Sequence, residues 1–385
     1  MMVTHVVGAR PNFVKAAPVI RALDDMPDVI QRVIHTGQHY DPAMSDNIMR
    51  DVAMREPDIN LAIGSGSHAE QTAKALVALE EDFRNHQPDI VVVYGDVNST
   101  LAGALAASKL NIPLAHVEAG LRSFDRSMPE EINRILVDSI SNIHFVTSED
   151  AIDNLVREGI SVEQIVHVGN TMIDSIAFAK EKWEKSDVLN RLGIDGRFAL
   201  VTLHRPSNVD DSERLAKLVA ELQKVSHSLP ILFPVHPRTR VKFEEAGLVT
   251  SENLRLIDPV PYLDSIFLIS QAEVVVTDSG GIQEEASYLG TPCLTVRTST
   301  ERPITITKGT NRLIDIGELG EYIGSLASGL KRALPDIPLW DGQSSFRLAI
   351  SLIDQHRALR SGPGPDLDNK ARASGSKHQP LTESV

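Results

Sequence analysis

Residues 274–289 read VVVTDSGGIQEEASYL. Val274, Val275, Val276 and Thr277 are β-formers, and the stretch from Ile282 to Leu289 is helix-like. A strand that turns directly into a helix is the unit from which parallel α/β sheets are built. The turn itself, Ser279-Gly280-Gly281, is nearly bare backbone. Glycine lets a phosphate approach the main chain, and the free N–H groups and dipole of a helix start favour its charge. Glu284 and Glu285 lie about 100° apart around the helix, so they serve different ends. One can take vicinal hydroxyls such as those of a ribose, while the other faces solvent or makes a structural pair. A Ser-Gly-Gly sequence is also an ordinary tight turn, so the motif gains weight only from its surroundings. The chain has no Gly-Lys-Ser/Thr phosphate loop and opens with no Gly-x-Gly-x-x-Gly. ATP or nicotinamide use therefore has no support, and no cofactor is expected.

The same alternation runs through most of the chain. Apolar runs predict strands at 4–7, 31–36, 90–94, 114–117, 144–146 and 165–168, with helices between them, such as 69–85 and 99–109. The pattern restarts after Arg197, with strands at 199–203, 231–235, 255–257, 274–277 and 293–296. Helices at 213–225, 265–271, 282–289 and 322–333 would cover them. Two such series in 385 residues predict two doubly wound α/β domains facing each other across a cleft. The expected boundaries are 1–170 and 171–342. A last helix at 343–360 would return to the first domain, and the Ser-, Gly-, Pro- and charge-rich tail, 361–385, is expected to be disordered.

Composition excludes several classes. A formal net charge of −14 argues against non-specific nucleic-acid binding. No apolar stretch is long enough to span a bilayer, so no membrane partner is expected. The first residues lack the basic and apolar regions of a signal peptide, which makes a cytoplasmic location the expectation. The single cysteine, Cys293, removes a disulfide framework or a Cys-rich zinc site. The 13 histidines form no helical pair beside a third ligand, so no metal is expected either.

Open parallel sheets bind ligands beyond the carboxyl ends of their strands. Ionisable residues crowd those positions here. Gly8, Arg10 and Lys15 follow the first strand, Asp96 the third, and Glu118 and Arg122 the fourth. In the second series they are His204 with Arg205, His236 with Arg238, and Asp278 with Ser279. One such residue is ordinary capping. Several together, mixing His, Arg and acids, mark a substrate cleft.

On these stretches the sequence resembles the non-hydrolysing UDP-N-acetylglucosamine 2-epimerases. The matching segments are GARPNFVKAAP (8–18), YGDVNST (94–100), HVEAGLRS (116–123), PEEINR (129–134), GNTMID (169–174), HRPSN (204–208), VHPRT (235–239), TDSGGIQEEA (277–286) and TERP (300–303). They run in the family's order. The resemblance implies two Rossmann-like domains in the glycosyltransferase-B arrangement, a homodimer, and interconversion of UDP-N-acetylglucosamine and UDP-N-acetylmannosamine. It implies elimination of UDP across C1–C2 to a 2-acetamidoglucal, followed by re-addition. Asp96, Glu118 and Glu130 match the family's functional carboxylates, and His204 its catalytic histidine beside the pyrophosphate. Arg10, Lys15, His236, Ser279, Gly280 and Gly281 would hold the phosphates and adjoining groups. Glu285 would take the ribose hydroxyls, and Arg302 would help close the nucleotide pocket. Arg122 and Glu131 read as ion partners in the cleft wall.

Three segments depart from many family members. Tyr94-Gly95-Asp96-Val97 stands for His-Gly-Asp-Thr, Pro206-Ser207 for Arg-Glu, and Gln38-His39-Tyr40-Asp41 for Gln-His-Arg-Gln. The catalytic acids are retained, whereas residues implied in binding an activating second UDP-N-acetylglucosamine are replaced. Two further readings share these features. One is a hydrolysing relative that releases N-acetylmannosamine and UDP. The other is a glycosyltransferase or nucleotide-sugar sensor on the same fold.

Overall fold

A computed structural model describes residues 1–38, 42–235, 237–247, 249–326 and 335–361. The first sheet comprises β1 (Met2–Val7), β2 (Ile30–His35), β3 (Ile59–Asn60), β4 (Ile90–Tyr94), β5 (Leu114–Ala119), β6 (Ile143–Val146) and β7 (Ile165–His167). The second comprises β8 (Ala199–Thr202), β9 (Ile231–Pro234), β10 (Leu254–Ile257), β11 (Val274–Thr277), β12 (Cys293–Thr295) and β13 (Asn311–Leu313). Their orders are β3-β2-β1-β4-β5-β6-β7 and β10-β9-β8-β11-β12-β13, with every pairing parallel. Each order reverses once, between β1 and β4 and between β8 and β11, so each lobe is doubly wound and has one switch point. The fold is two Rossmann-like α/β units of the glycosyltransferase-B type.

The central strands read as unbroken apolar runs because helices cover both their faces. Ile90 through Tyr94 are each 0% exposed. Burial of each such side chain contributes roughly 1.5–3 kcal/mol. Two strands escaped the sequence reading, β3 and β13. Both are short sheet edges, Ile-Asn and Asn-Arg-Leu, that hold no run of apolar residues. The expected helix at 322–333 begins earlier, at Leu319–Leu326, and residues 327–334 lie outside the described residues. The expected disordered segment from 362 onward also lies outside them.

The Ser344–Ser361 helix packs on the Arg10–Asp24 helix, and Leu348, Ala349 and Leu352 are fully buried in the core around β1 and β4. Its start is held by Asp174, whose carboxylate accepts from the Ser344 and Ser345 amides at 3.1 and 2.6 Å. No helix among the described residues is long and apolar enough to cross a membrane.

Candidate active site

At the first switch point Asn12 ties two strand ends together. Its Oδ1 accepts from the Gly8 and Ala9 amides at 3.0 and 3.1 Å, and its Nδ2 donates to the Tyr94 carbonyl at 2.8 Å. Asp96 follows β4 and forms an ion pair with Arg134. Burial pushes its carboxyl up, but the charges of Arg134, Lys15 and Arg302 outweigh that and hold it below the ordinary value.

Glu118 sits in β5 where the register with β6 shifts, between Val117 and Ala119. Its φ is +73°, a left-handed conformation that costs a non-glycine residue about 1–3 kcal/mol. The bulge turns the carboxylate toward two cations. Oε2 pairs with Lys15 Nζ, and Oε1 accepts from Arg302 Nη2 at 2.7 Å. Lys15 belongs to the first lobe and Arg302 to the second, so this buried carboxylate joins the two.

At the second switch point the strands β8 and β11 deliver His204 and Asp278. The His204 ring Nδ1 lies 3.2 Å from Asp278 Oδ1, and 63% of the side chain is exposed. Ser279 is the N-cap of the Gly280–Leu289 helix, and its side chain makes no capping bond. A Cβ at Gly280 would meet Arg302 Nη1 at 2.5 Å and Glu301 Oε1 at 2.6 Å, so a side chain there has to displace that buried ion pair. A Cβ at Gly281 would meet only Met172 Sδ, at 3.8 Å. The protein itself therefore leaves room at Gly281, and any need for glycine there comes from a ligand.

Neither acid one turn into this helix faces solvent. Glu284 accepts from Asn170 Nδ2 at 3.0 Å and lies 2.8 Å from Arg302 Nε. Burial raises its pKa to about 7 despite Arg302. Glu285 is raised to about 8 by burial and the charge of Glu284, with Arg10 opposing the shift.

Several residues complete the cluster without a role assigned from the sequence: Arg134, Glu301 and Arg205 lie inside PEEINR, TERP and HRPSN, and Arg297 in no such segment. Arg134 donates to Glu131 Oε2 at 2.8 Å while it pairs with Asp96. Glu301 pairs with Arg302 and takes Arg297 Nη2 at 2.8 Å. Burial works against it, but Arg302 and Arg297 hold its carboxyl well below the usual range. Arg205 Nη1 and Arg297 Nη2 converge from one lobe on the Met128 thioether of the other, at 3.5 and 3.8 Å. Arg297 is 8% exposed, and its Nη1 has no hydrogen-bond partner among the described residues.

Glu130 stands apart from the buried acids. It is exposed in the first turn of the Pro129–Ile140 helix, with its charge felt by Arg205. Its neighbour Glu131 is buried and accepts from the Ser123 and Phe124 amides at 3.0 and 2.8 Å. Arg122 contacts Asp138 and Glu158 at 2.7 and 2.6 Å. His236, His39, Tyr40 and Asp41 lie outside the described residues.

Lys15, Glu118, Arg302 and Glu284 thus form one continuous buried chain, joined through Glu301 to Arg297. The family model described as UDP-N-acetylglucosamine 2-epimerase matches residues 21–352. The chain belongs to the UDP-N-acetylglucosamine 2-epimerase family. A UDP-N-acetylglucosamine 2-epimerase of Methanocaldococcus jannaschii is 44% identical over 324 residues, 82% of this chain and 88% of that protein. A UDP-2,3-diacetamido-2,3-dideoxy-D-glucuronate 2-epimerase of Pseudomonas aeruginosa is 43% identical over 354 residues, 91% of this chain and 98% of its own length. The solved M. jannaschii epimerase in complex with UDP-N-acetylglucosamine and UDP is 40% identical to this chain. It superposes with a TM-score of 0.85 over 92% of this chain and 100% of its own. Within this epimerase-family chain, buried acids and cations from both lobes meet at the two switch points. Such a constellation can move protons while holding a separating anion.

Proposed function

We propose that the chain is a non-hydrolysing epimerase that interconverts UDP-N-acetylglucosamine and UDP-N-acetylmannosamine. The observation that carries this reading is Glu118, buried and held at once by Lys15 of one lobe and Arg302 of the other. A carboxylate so placed meets the sugar where the lobes join, and the same cations can take up charge as UDP departs. Asp96, Glu118 and Glu130 form the proton-transfer set. One carboxylate removes the C2 proton as the C1–O bond breaks, leaving 2-acetamidoglucal and UDP. A second protonates C2 from the opposite face as a β-phosphate oxygen re-forms the bond to C1. His204 serves the departing diphosphate. Arg10, Lys15, Ser279, Gly280 and Gly281 bind phosphate, with Glu285 on the ribose and Arg302 closing the pocket. His236 is assigned to the phosphates by its place in the VHPRT segment. The working form is a cytoplasmic homodimer, which sedimentation of the purified chain checks.

Turnover of UDP-N-acetylglucosamine in deuterium oxide tests the reaction. The expected product is UDP-N-acetylmannosamine with deuterium at C2. Accumulation of free N-acetylmannosamine with equimolar UDP would instead establish the hydrolysing reaction.

A second reading concerns the sugar. The buried, incompletely satisfied Arg297 beside Arg205 suits a carboxylate, and the P. aeruginosa relative acts on a glucuronate. Comparing kcat/KM for neutral and uronate UDP-sugars decides between the two. A preference for the uronate that disappears in Arg297→Met would favour this second substrate.

A further inference from the structure

Asp278 follows β11, immediately before the Ser279-Gly280-Gly281 turn, and is fully buried. Its Oδ2 accepts from the amides of His204 and Arg205 at 3.1 and 2.9 Å and from Asn208 Nδ2 at 3.0 Å. Its Oδ1 lies 3.2 Å from the His204 amide nitrogen and 3.2 Å from the imidazole Nδ1. Its carbonyl accepts from Arg205 Nε at 2.9 Å. One residue therefore grips the histidine turn by main chain and ring together, and leads directly into the helix start assigned to phosphate.

We infer that Asp278 is a positioning residue that fixes His204 with Nδ1–H toward its own carboxylate and Nε2 toward the cleft. The inference rests on the reading of His204 given above. A carboxylate only accepts, so a neutral ring whose Nδ1 lies 3.2 Å from it is favoured with its proton on Nδ1. The imidazolium gives its Nε2 proton to the departing phosphate and is left as the Nδ1–H ring, whose bare Nε2 can take that proton back on re-addition of UDP. The opposite tautomer offers an N–H there and cannot accept.

Asp278→Asn separates this role from simple support of the loop. Three donors converge on Oδ2, so the asparagine oxygen takes that place and its NH₂ falls on the side of His204 Nδ1. A donor facing Nδ1 reverses the tautomer. The experiment is nitrogen NMR of the full chain carrying ¹⁵N-histidine, with the His204 signal assigned by its loss in His204→Gln. The expected wild-type spectrum in mildly alkaline buffer shows the Nδ1-protonated ring, and Asp278→Asn shows the Nε2-protonated ring. In the variant kcat falls by about 10²-fold or more while the Kd for UDP changes by less than about threefold. A loop-supporting role alone would weaken folding and UDP binding without changing the tautomer. An Nε2-protonated ring in the wild type, or a folded Asp278→Asn protein with kcat within about threefold of wild type, overturns the inference. If the variant does not fold, the wild-type spectrum still decides. Wild-type protein that shows the expected tautomer but turns over no UDP-sugar would remove the epimerase reading, not the positioning one.

Discussion

The two switch points have the same strand order and different chemistry. In the first lobe the strand ends present charged side chains: Asp96 on Arg134, and Glu118 on Lys15, with Glu118 turned out by a bulge at φ +73°. In the second lobe the strand ends present main chain and its supports: an uncapped helix start at Ser279, a glycine whose Cβ would displace the Arg302–Glu301 pair, and Asp278 beneath the histidine turn. Under the proposed function the carboxylates that move protons all come from the first lobe, while the phosphates are shared between Arg10 and Lys15 of the first lobe and the helix start of the second. Arg302, paired with Glu118, is one of the buried contacts between the lobes. Burying so many ions is a poor way to gain stability, since desolvation offsets most of each attraction, so the cluster is explained better by function than by folding.

The largest effect expected from that division is on turnover. Asp96→Asn or Glu118→Gln lowers kcat by about 10²–10⁴-fold and leaves UDP affinity, read by calorimetry, nearly unchanged. Near-normal turnover in either folded variant would break the assignment of chemistry to the first lobe. Next come the two glycines. Gly281→Val keeps the ligand-free fold but weakens UDP binding by about tenfold or more, because the branched side chain stands where phosphate would meet the helix start. Gly280→Val lowers the unfolding temperature even without ligand, because its Cβ runs into Arg302 and Glu301. Equal UDP affinity in Gly281→Val would make that turn purely structural.

A third prediction concerns acidity within the second lobe. Glu285 is raised from 4.5 to about 8, so between those values the folded chain holds a proton that the unfolded chain releases. Stability from this group is therefore greatest at low pH and is lost as pH rises toward about 8, by at most about 1.4 kcal/mol per pH unit. Denaturant titrations at several pH values should show that slope, with a flatter one in Glu285→Gln. An unchanged slope would place the charge penalty elsewhere, with Glu284 the first candidate. The smallest effect belongs to Lys308, whose exposed pair with Glu149 at 3.1 Å also joins the lobes. Lys308→Ala should cost less than about 0.5 kcal/mol and leave turnover unchanged. A larger loss would mean that exposed contacts also hold the lobes together, not only the buried Arg302–Glu118 pair.

Much of this was legible in the sequence because burial on both faces writes itself as an apolar run. Ile90–Tyr94 and Val274–Thr277 begin and end where the runs do. The edge strands β7 and β10 were read from theirs, whereas β3 (Ile-Asn) and β13 (Asn-Arg-Leu) contain no apolar run and were missed for that reason. In the site, acids at strand ends could be read, but their partners could not. Arg302 and Glu118 are 184 residues apart, and no local period reports a contact of that kind. Arg134 and Glu301 lie inside the PEEINR and TERP segments without a role of their own, and Arg297 lies in no such segment. Glu284 was expected to face solvent or to make a structural pair, and it took the pair because the Gly280–Leu289 helix is covered by the other lobe through Asn170.

The Ser344–Ser361 helix has a consequence for how the protein is made. Leu348, Ala349 and Leu352 fill the core around β1 and β4, yet they are translated after the whole second lobe. While the chain is still on the ribosome, the first lobe waits with an apolar surface uncovered beside its Arg10–Asp24 helix. Vectorial synthesis therefore cannot finish the first lobe first. The lobe that begins the chain is completed by residues near its end, so a fragment cut between the two sheets would carry an open seam and be prone to aggregate.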